Sequence, residues 1–176
     1  MRPLRPLLTV LNITPKLLDD PDFAQALAHT IIECGVAPTD VTLEVTESGM
    51  ASCAGAAIEN LTRLRIRDFG LSIDDFGTGY SSLAQLPRAP FTELEIDQRF
   101  VRALGHDPRS EDLVRSTLDL AQRLGLHTVA EGVESEAQRR LLIEYGCDAA
   151  LGFMFAKPVP VLQWLSWMDA IRPASN

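Results

Sequence analysis

Two adjacent acids, Asp74 and Asp75, follow a short apolar stretch in the segment LSIDDFGTGYSSL, residues 71–83. Two like charges held close together at a partly buried position repel each other and are poorly solvated. A fold retains such a pair when a cation or a hydrogen-bond network compensates the charge. The pair therefore indicates metal ligands placed at the end of a strand.

Further polar residues fall at the ends of the other strand-like runs, which cover residues 7–13, 41–47, 71–76, 91–97, 127–133 and 150–156. The polar residues late in these runs are Asn12, Glu44, Asp74, Asp75, Glu95 and Glu131. In a (β/α) barrel the carboxyl ends of parallel strands converge on the face that carries the active site. Oxygen donors suit Mg²⁺ or Mn²⁺, and an acid shared by two ions is typical of a two-metal phosphoryl-transfer site.

Helical patterns lie between the strand-like runs. Asp20 and Pro21 predict a helix start, Gly35 predicts its end, and Ser135 predicts the start of another helix. Two apolar faces at helical spacing are Ala57, Ile58, Leu61 and Leu64, and Leu113, Leu118, Ala121 and Leu124. This alternation predicts parallel strands in an α/β fold, with residues 1–176 forming a single domain.

Composition limits the partners. A net charge of −8 is a poor match to a nucleic-acid surface, so neither DNA nor RNA is expected as a partner. No apolar run approaches the roughly 20 residues that a membrane span needs. The three cysteines are widely separated, which predicts reduced core thiols in a cytoplasmic protein rather than a disulfide frame.

Each acid also has a simpler interpretation. A single acid at a strand end is more often a helix N-cap or a solvated loop residue, and Glu47 and Glu134 fit that description well. The triplet Asp75-Phe-Gly also occurs in protein kinases, but the other kinase motifs are missing. The three histidines lie far apart and are interpreted as structural.

Six segments in this order closely resemble the EAL family of cyclic-di-GMP phosphodiesterases: LNIT, LEVTES, IDDFGTGYSSL, LEIDQRF, VAEGVE and GCDAALGFMFAKP. The resemblance extends from about Leu8 to Pro160. It implies a modified TIM barrel that hydrolyses one phosphodiester of cyclic-di-GMP to the linear dinucleotide pGpG with Mg²⁺ or Mn²⁺.

The resemblance also implies a role for each acid. The residues that match the family's metal ligands are Asn12, Glu44, Asp74, Asp75 and Glu131. Asp75 resembles a second-metal or water-positioning acid, and Glu131 resembles a metal ligand or general base. Glu47 resembles the acid that braces the loop after the DDFGTG strand, while Asp97 and Glu134 resemble acids that line the site.

Three departures from the family pattern suggest an incomplete two-metal site. The Glu-Ala-Leu segment is absent, and about six strands are present where a closed barrel has eight, so we expect a partial barrel lacking its first strands. Glu95 stands where the family has a lysine. Leu151 stands where the family usually has a glutamine.

Three functional interpretations remain open. The chain could be a truncated, catalytically impaired EAL domain that acts as a weakened cyclic-di-GMP receptor or an interaction module. It could be an active phosphodiesterase whose N-terminal part is missing from this chain. It could also be a decayed fragment without independent function. The family resemblance further implies a homodimer formed around residues 77–90, or another protein partner.

Overall fold

The strands of the protein form one parallel sheet in a computed structural model, which describes residues 9–51, 55–77, 86, 89–164 and 166. The strands are β1 (Thr9–Asn12), β2 (Val41–Thr46), β3 (Gly70–Phe76), β4 (Glu93–Ile96), β5 (His127–Ala130) and β6 (Ala149–Ala150). Their order in the sheet follows the chain, from β1 at one edge to β6 at the other. The sheet curls into a half-barrel, as the alternating sequence pattern predicted.

Helices connect the strands and cover one face of the sheet. They are α1 (Pro15–Leu18), α2 (Phe23–Glu33), α3 (Glu47–Ala51), α4 (Gly55–Ile66), α5 (Gln98–Ala103), α6 (Pro108–Leu124) and α7 (Glu136–Glu144). A 3₁₀ turn, Pro38–Asp40, precedes β2. None of the helices in the described ranges is long and apolar enough to cross a membrane.

The two faces of the sheet differ in polarity. Leu43, Val45, Leu71, Ile73 and Leu94 are almost fully buried in the core. Alternate residues of a strand point to opposite faces, so the residues between these apolar ones face the inside of the half-barrel. Those residues are Thr42, Glu44, Ser72, Glu93 and Glu95. The inner face is therefore polar, and it carries acids toward the carboxyl ends of the strands.

Local sequence signals account for both ends of α6 and for the start of α7. The side chain of Asp107 accepts hydrogen bonds from the backbone N–H groups of Arg109 and Ser110, and α6 ends at Gly125 with a φ of 70°. Ser135 and Gln138 form a reciprocal capping box at the start of α7.

Helix α2 begins later than predicted. Asp20 and Pro21 were expected to start it, but the helix begins at Phe23. The carboxylate of Asp20 instead accepts a hydrogen bond from the backbone N–H of Asp22, which forms a turn before the helix.

Strand β6 is much shorter than the predicted run of residues 150–156. After Ala150 the chain crosses the end of β5, where the backbone N–H of Val133 donates to the carbonyl of Leu151. Gly152, with a φ of 154°, packs directly on the backbone of Val133, and a Cβ there would collide with it. A regular strand cannot continue through this crossing.

Several smaller predictions need correction. Ile58 on α4 is only partly buried. On α6, Leu113 is partly buried and Leu124 is exposed, because the buried face of that helix is centred on Val114 and Leu118. Cys34 is exposed rather than a core thiol. Residues 161–164 and 166 are helical, and residues 165 and 167–176 lie outside the described residues.

Candidate functional site

The carboxyl ends of the strands place most of the predicted residues on one face. In the parallel register Asn12 lies opposite Glu44 across the β1–β2 pair, and Thr46 lies opposite Asp74 across the β2–β3 pair. The backbone N–H of Glu131 donates to the carbonyl of Ile96, which places Glu131 beside the end of β4. The polar positions of separate strands thus meet at one end of the half-barrel.

Strand β3 contains a bulge at the two adjacent acids, Asp74 and Asp75. Ile73 pairs with Leu94 and Phe76 pairs with Ile96, so β3 carries one more residue than β4 over this interval. Asp75 has a φ of 57°, a left-handed conformation that aspartate adopts more readily than most residues. Asp74 lies with the carboxylates of the inner face, as strand alternation from Ser72 predicts, and Asp75 in the bulge lies against Asp97.

Three carboxylates form the centre of the site. Oxygen atoms of Asp74, Glu95 and Glu131 all lie within 4.8 Å of one another. Glu95 is 2% exposed, and its Oε1 accepts a hydrogen bond of 2.7 Å from the hydroxyl of Ser72. Its Oε2 is buried and receives no hydrogen bond from the described residues.

Burial and mutual repulsion oppose ionisation of these acids. Burial, together with a hydrogen bond to Glu44, raises the pKa of Glu95 to about 8 despite the opposing bond from Ser72. Burial and the charges of Glu95 and Asp74 raise the pKa of Glu131 to about 7. Burial also raises the pKa of Glu44. In the absence of metal, Glu95 and Glu44 thus share a proton near neutral pH.

A second acid pair lies beside the first cluster. A hydrogen bond with Asp97, and then burial, raise the pKa of Asp75 to about 6. Burial alone would raise the pKa of Asp97, but hydrogen bonds from Arg99 outweigh it and hold that pKa below its ordinary value. The guanidinium of Arg99 contacts both carboxylate oxygens of Asp97, at 2.9 and 3.3 Å. Asp97 is also the N-cap of α5.

Glu47 connects the end of β2 to the end of β3. It is the first residue of α3, is 2% exposed, and its Oε2 accepts a hydrogen bond of 3.0 Å from the backbone N–H of Gly77. Gly77 follows directly after β3 and has a φ of 92°. Glu47 therefore holds the chain where it leaves the Asp74–Asp75 bulge, and residues 78–85 that follow lie outside the described residues.

A pocket of about 190 Å³ adjoins Glu131 at the ends of β5 and β6. Glu134 and Leu151 also line it, together with Arg102. The guanidinium of Arg102 contacts Glu134 at 3.0 Å. Leu151 is 53% exposed, so an apolar side chain occupies this rim without being needed in the core.

Two residues with a role in the site were missed by the sequence analysis. Ser72 precedes Asp74 by two positions, so strand alternation alone places both on the inner face, and that signal could have identified it. Arg99 follows Asp97 by two positions, but its contact depends on the turn into α5, which carries no distinctive sequence signal.

The donor set fits a hard divalent cation. Carboxylate oxygens are the preferred ligands of Mg²⁺ and Mn²⁺, and a buried carboxylate oxygen without a hydrogen-bond donor is a natural ligand for either ion. Among the described residues, Asp74, Glu95 and Glu131 lie close enough together to hold such an ion, and the ligand roles of Asn12, Glu44 and Asp75 remain predictions. In a parallel barrel the carboxyl ends of the strands carry the active site, and carboxylates there can hold the metal ions on which some phosphoester chemistry depends.

The comparisons with known proteins agree with this class. The EAL domain family model matches residues 2–158, and the chain belongs to this family. It is 40% identical over 163 residues to the cyclic di-GMP phosphodiesterase RocR of Pseudomonas aeruginosa, covering 93% of this chain and 42% of that protein. The chain thus spans less than half the length of this relative.

Solved structures give the same result. The EAL domain of Mycobacterium smegmatis DcpA superposes with a TM-score of 0.88 at 35% identity, covering 94% of this chain and 74% of that one. A manganese and cyclic-di-GMP complex of Klebsiella pneumoniae BlrP1 superposes with a TM-score of 0.81 at 32% identity, covering 89% of this chain and 40% of that one.

Proposed function

We propose that this chain is a metal-dependent cyclic-di-GMP-binding domain of the EAL family in which hydrolysis is strongly impaired. The observation that carries this proposal is Glu95, a buried carboxylate between Asp74 and Glu131 at the position where the family pattern has a lysine. Related proteins named as phosphodiesterases or bound to cyclic-di-GMP support the nucleotide as the ligand.

The sign of the charge at position 95 determines whether a bound nucleotide is also hydrolysed. At an effective dielectric constant near 20, a unit charge about 5 Å from a phosphate contributes roughly 3 kcal/mol, so inverting its sign changes the interaction by about twice that amount. Loss of a preorganised positive group at a reacting phosphate costs about a hundredfold or more in rate. Leu151 removes a polar group from the same rim.

The remaining residues still serve metal and nucleotide binding. Bound Mg²⁺ or Mn²⁺ would polarise the phosphodiester and lower the pKa of a water molecule. Asn12, Glu44, Asp74 and Glu131 would hold the ions, and Asp75 would orient the water while Asp97 receives the hydrogen bonds of Arg99. Glu47 keeps the end of β3 in position, and Glu134 lines the pocket beside Glu131.

An active phosphodiesterase is the second candidate function. The acids at the ends of β2, β3 and β5 are all present, and the register keeps Asn12 opposite Glu44. In this alternative the whole protein supplies strands that this chain does not contain. A cytoplasmic location and a homodimer or other protein partner remain predictions, and much of the expected dimer region, residues 77–90, lies outside the described residues.

Calorimetric titration of cyclic-di-GMP in the presence of Mn²⁺, followed by chromatography for pGpG, tests the proposal. Binding with a turnover at least about a hundredfold below that of an active EAL domain is the expected result. Product formation at the rate of an active domain would establish the second candidate. Absence of binding would contradict both and leave an interaction module or a fragment without independent function.

A further inference from the structure

The second carboxylate oxygen of Glu95 has an unusual environment. The hydroxyl of Ser72 donates a hydrogen bond to Oε1 of Glu95, but Oε2 is buried and receives no hydrogen bond from the described residues. Glu95 also belongs to a group of three acids, with Asp74 and Glu131, in which one carboxylate oxygen of each lies within 4.8 Å of the others. A buried ionised oxygen without a donor costs several kcal/mol, so a positive partner is required.

The described residues supply no cation that could be the positive partner of Glu95 Oε2. Arg99 is the nearest basic residue along the chain, but its guanidinium is engaged by Asp97, and Arg102 is engaged by Glu134. Among the described residues, only a proton shared with Glu44 remains as a partner for Oε2, and an external cation is the alternative. A divalent cation is the stronger partner, because it neutralises several of the carboxylates at once.

We infer that Glu95 is a direct ligand of a divalent cation, which Asp74 and Glu131 bind together with it. The cation is Mg²⁺ or Mn²⁺, because the three donors are all carboxylate oxygens. The family pattern has a lysine at position 95, so an exchangeable ion would supply the positive charge that this chain lacks there. This inference rests on the proposed metal-dependent function of the same face.

A site that includes Glu95 has a protein carboxylate that the ligand set implied by the resemblance lacks. The affinity of the nucleotide-free chain for Mn²⁺ should therefore depend on the residue at position 95. Restoring a lysine at position 95 removes one ligand and adds a repelling charge. The glutamine variant removes only the negative charge and keeps the size of the side chain.

Manganese titration of the nucleotide-free chain, followed by calorimetry and by the electron paramagnetic resonance signal of free Mn²⁺, tests the inference. We expect Glu95→Gln to weaken the tightest Mn²⁺ binding at least about tenfold and Glu95→Lys to weaken it further. The matched control is Glu93→Gln, which removes a charge from the same strand and face, where Glu93 pairs with His127. Its Mn²⁺ affinity should stay within about twofold of wild type.

A second measurement uses the unaltered protein. In a sample labelled with carbon-13 at glutamate carboxyl groups, saturating Mg²⁺ should shift the resonance of Glu95. An unmoved resonance, or equal Mn²⁺ affinities for wild type and a folded Glu95→Gln variant, overturns the inference. If Mn²⁺ binding depends on Glu95 but cyclic-di-GMP does not bind, the ligand assignment stands and the proposed function fails.

Discussion

The hydroxyl of Ser72 donates a 2.7 Å hydrogen bond to Oε1 of Glu95, and this contact fixes the direction of the carboxylate. One carboxylate oxygen of Glu95 also lies within 4.8 Å of oxygens of Asp74 and Glu131. The contact with Ser72 stabilises only one of the two oxygens of Glu95. Oε2 is buried without a hydrogen bond from the described residues, so the Ser72 contact alone does not compensate the buried acid.

The metal-free protein should lose stability as the pH rises. Glu95, Glu131 and Asp75 have pKa values of about 8, 7 and 6 in the fold, above the ordinary values of 4.5, 4.5 and 3.8. The folded state therefore binds more protons than the unfolded state between about pH 4 and pH 8, and the free energy of unfolding falls over this range. Thermal melts with a chelator should show Tm lower at pH 8.5 than at pH 5.5 by at least about 5 °C.

The Glu95→Gln variant is the control for this pH dependence. It removes the group with the largest upward shift, so its Tm should decrease less over the same interval. Saturating Mn²⁺ at pH 8.5 should raise Tm of the wild-type chain, because the ion binds only the folded state. An unchanged Tm across the pH interval would show that the carboxylates are better compensated than their burial indicates.

Restoring the family residues should increase hydrolysis. In Glu95→Lys a positive group would face the phosphate, and Leu151→Gln would return a polar group to the rim beside Glu131. We expect Glu95→Lys to raise the rate of pGpG formation at least about tenfold and the double variant to raise it further. Chromatography with saturating Mn²⁺ and cyclic-di-GMP measures both rates.

The control variant distinguishes the effect of adding a positive charge at position 95 from the effect of removing the acid. Glu95→Gln removes the repulsion without adding a positive group, so it should recover less activity than Glu95→Lys. Equal rates for the two variants would show that repulsion alone impairs the reaction. No gain in either variant would mean that parts of the site outside this chain limit hydrolysis.

Much of the fold could be predicted from the sequence because local and long-range signals agree. Apolar strands alternating with capped helices predicted the parallel sheet, and the acids late in the strands predicted which end carries the site. The β3 bulge was not predictable, because it depends on the register between Ile73 and Leu94 and between Phe76 and Ile96. Strand alternation predicts that Asp74 and Asp75 point in different directions, but the contact of Asp75 with Asp97 lies at this bulge and could not be predicted.

The short β6 strand shows the same limit. The segment from Ala150 to Ala156 is apolar and has strand propensity, but the backbone crosses Val133 at Gly152. Backbone hydrogen bonds with the end of β5 outweigh local propensity there. The exposed position of Leu151 follows from this crossing.

Asn60 should be essential for stability although it is remote from the acids. Its side-chain amide donates to the carbonyls of Leu18 and Asp20, at 2.8 and 2.7 Å, and the residue is 1% exposed. Asn60→Asp keeps the shape but replaces both donors with an acceptor, so we expect a loss of about 3 kcal/mol in the free energy of unfolding. Urea denaturation measures it, and Glu59→Gln, an exposed change on the same helix, should have little effect.

Glu47 should control the end of β3 through its hydrogen bond to Gly77. Glu47→Ala removes a buried charged acceptor, so the Gly77 amide should exchange with solvent at least about tenfold faster, and stability should fall by about 2 kcal/mol. Nucleotide affinity should fall as well, because Asp74 and Asp75 lie just before the released amide. Glu47→Gln retains an acceptor and should show a smaller effect on all three quantities. If alanine weakens nucleotide binding while Gly77 exchange stays as in wild type, Glu47 acts on the site by a route other than this hydrogen bond.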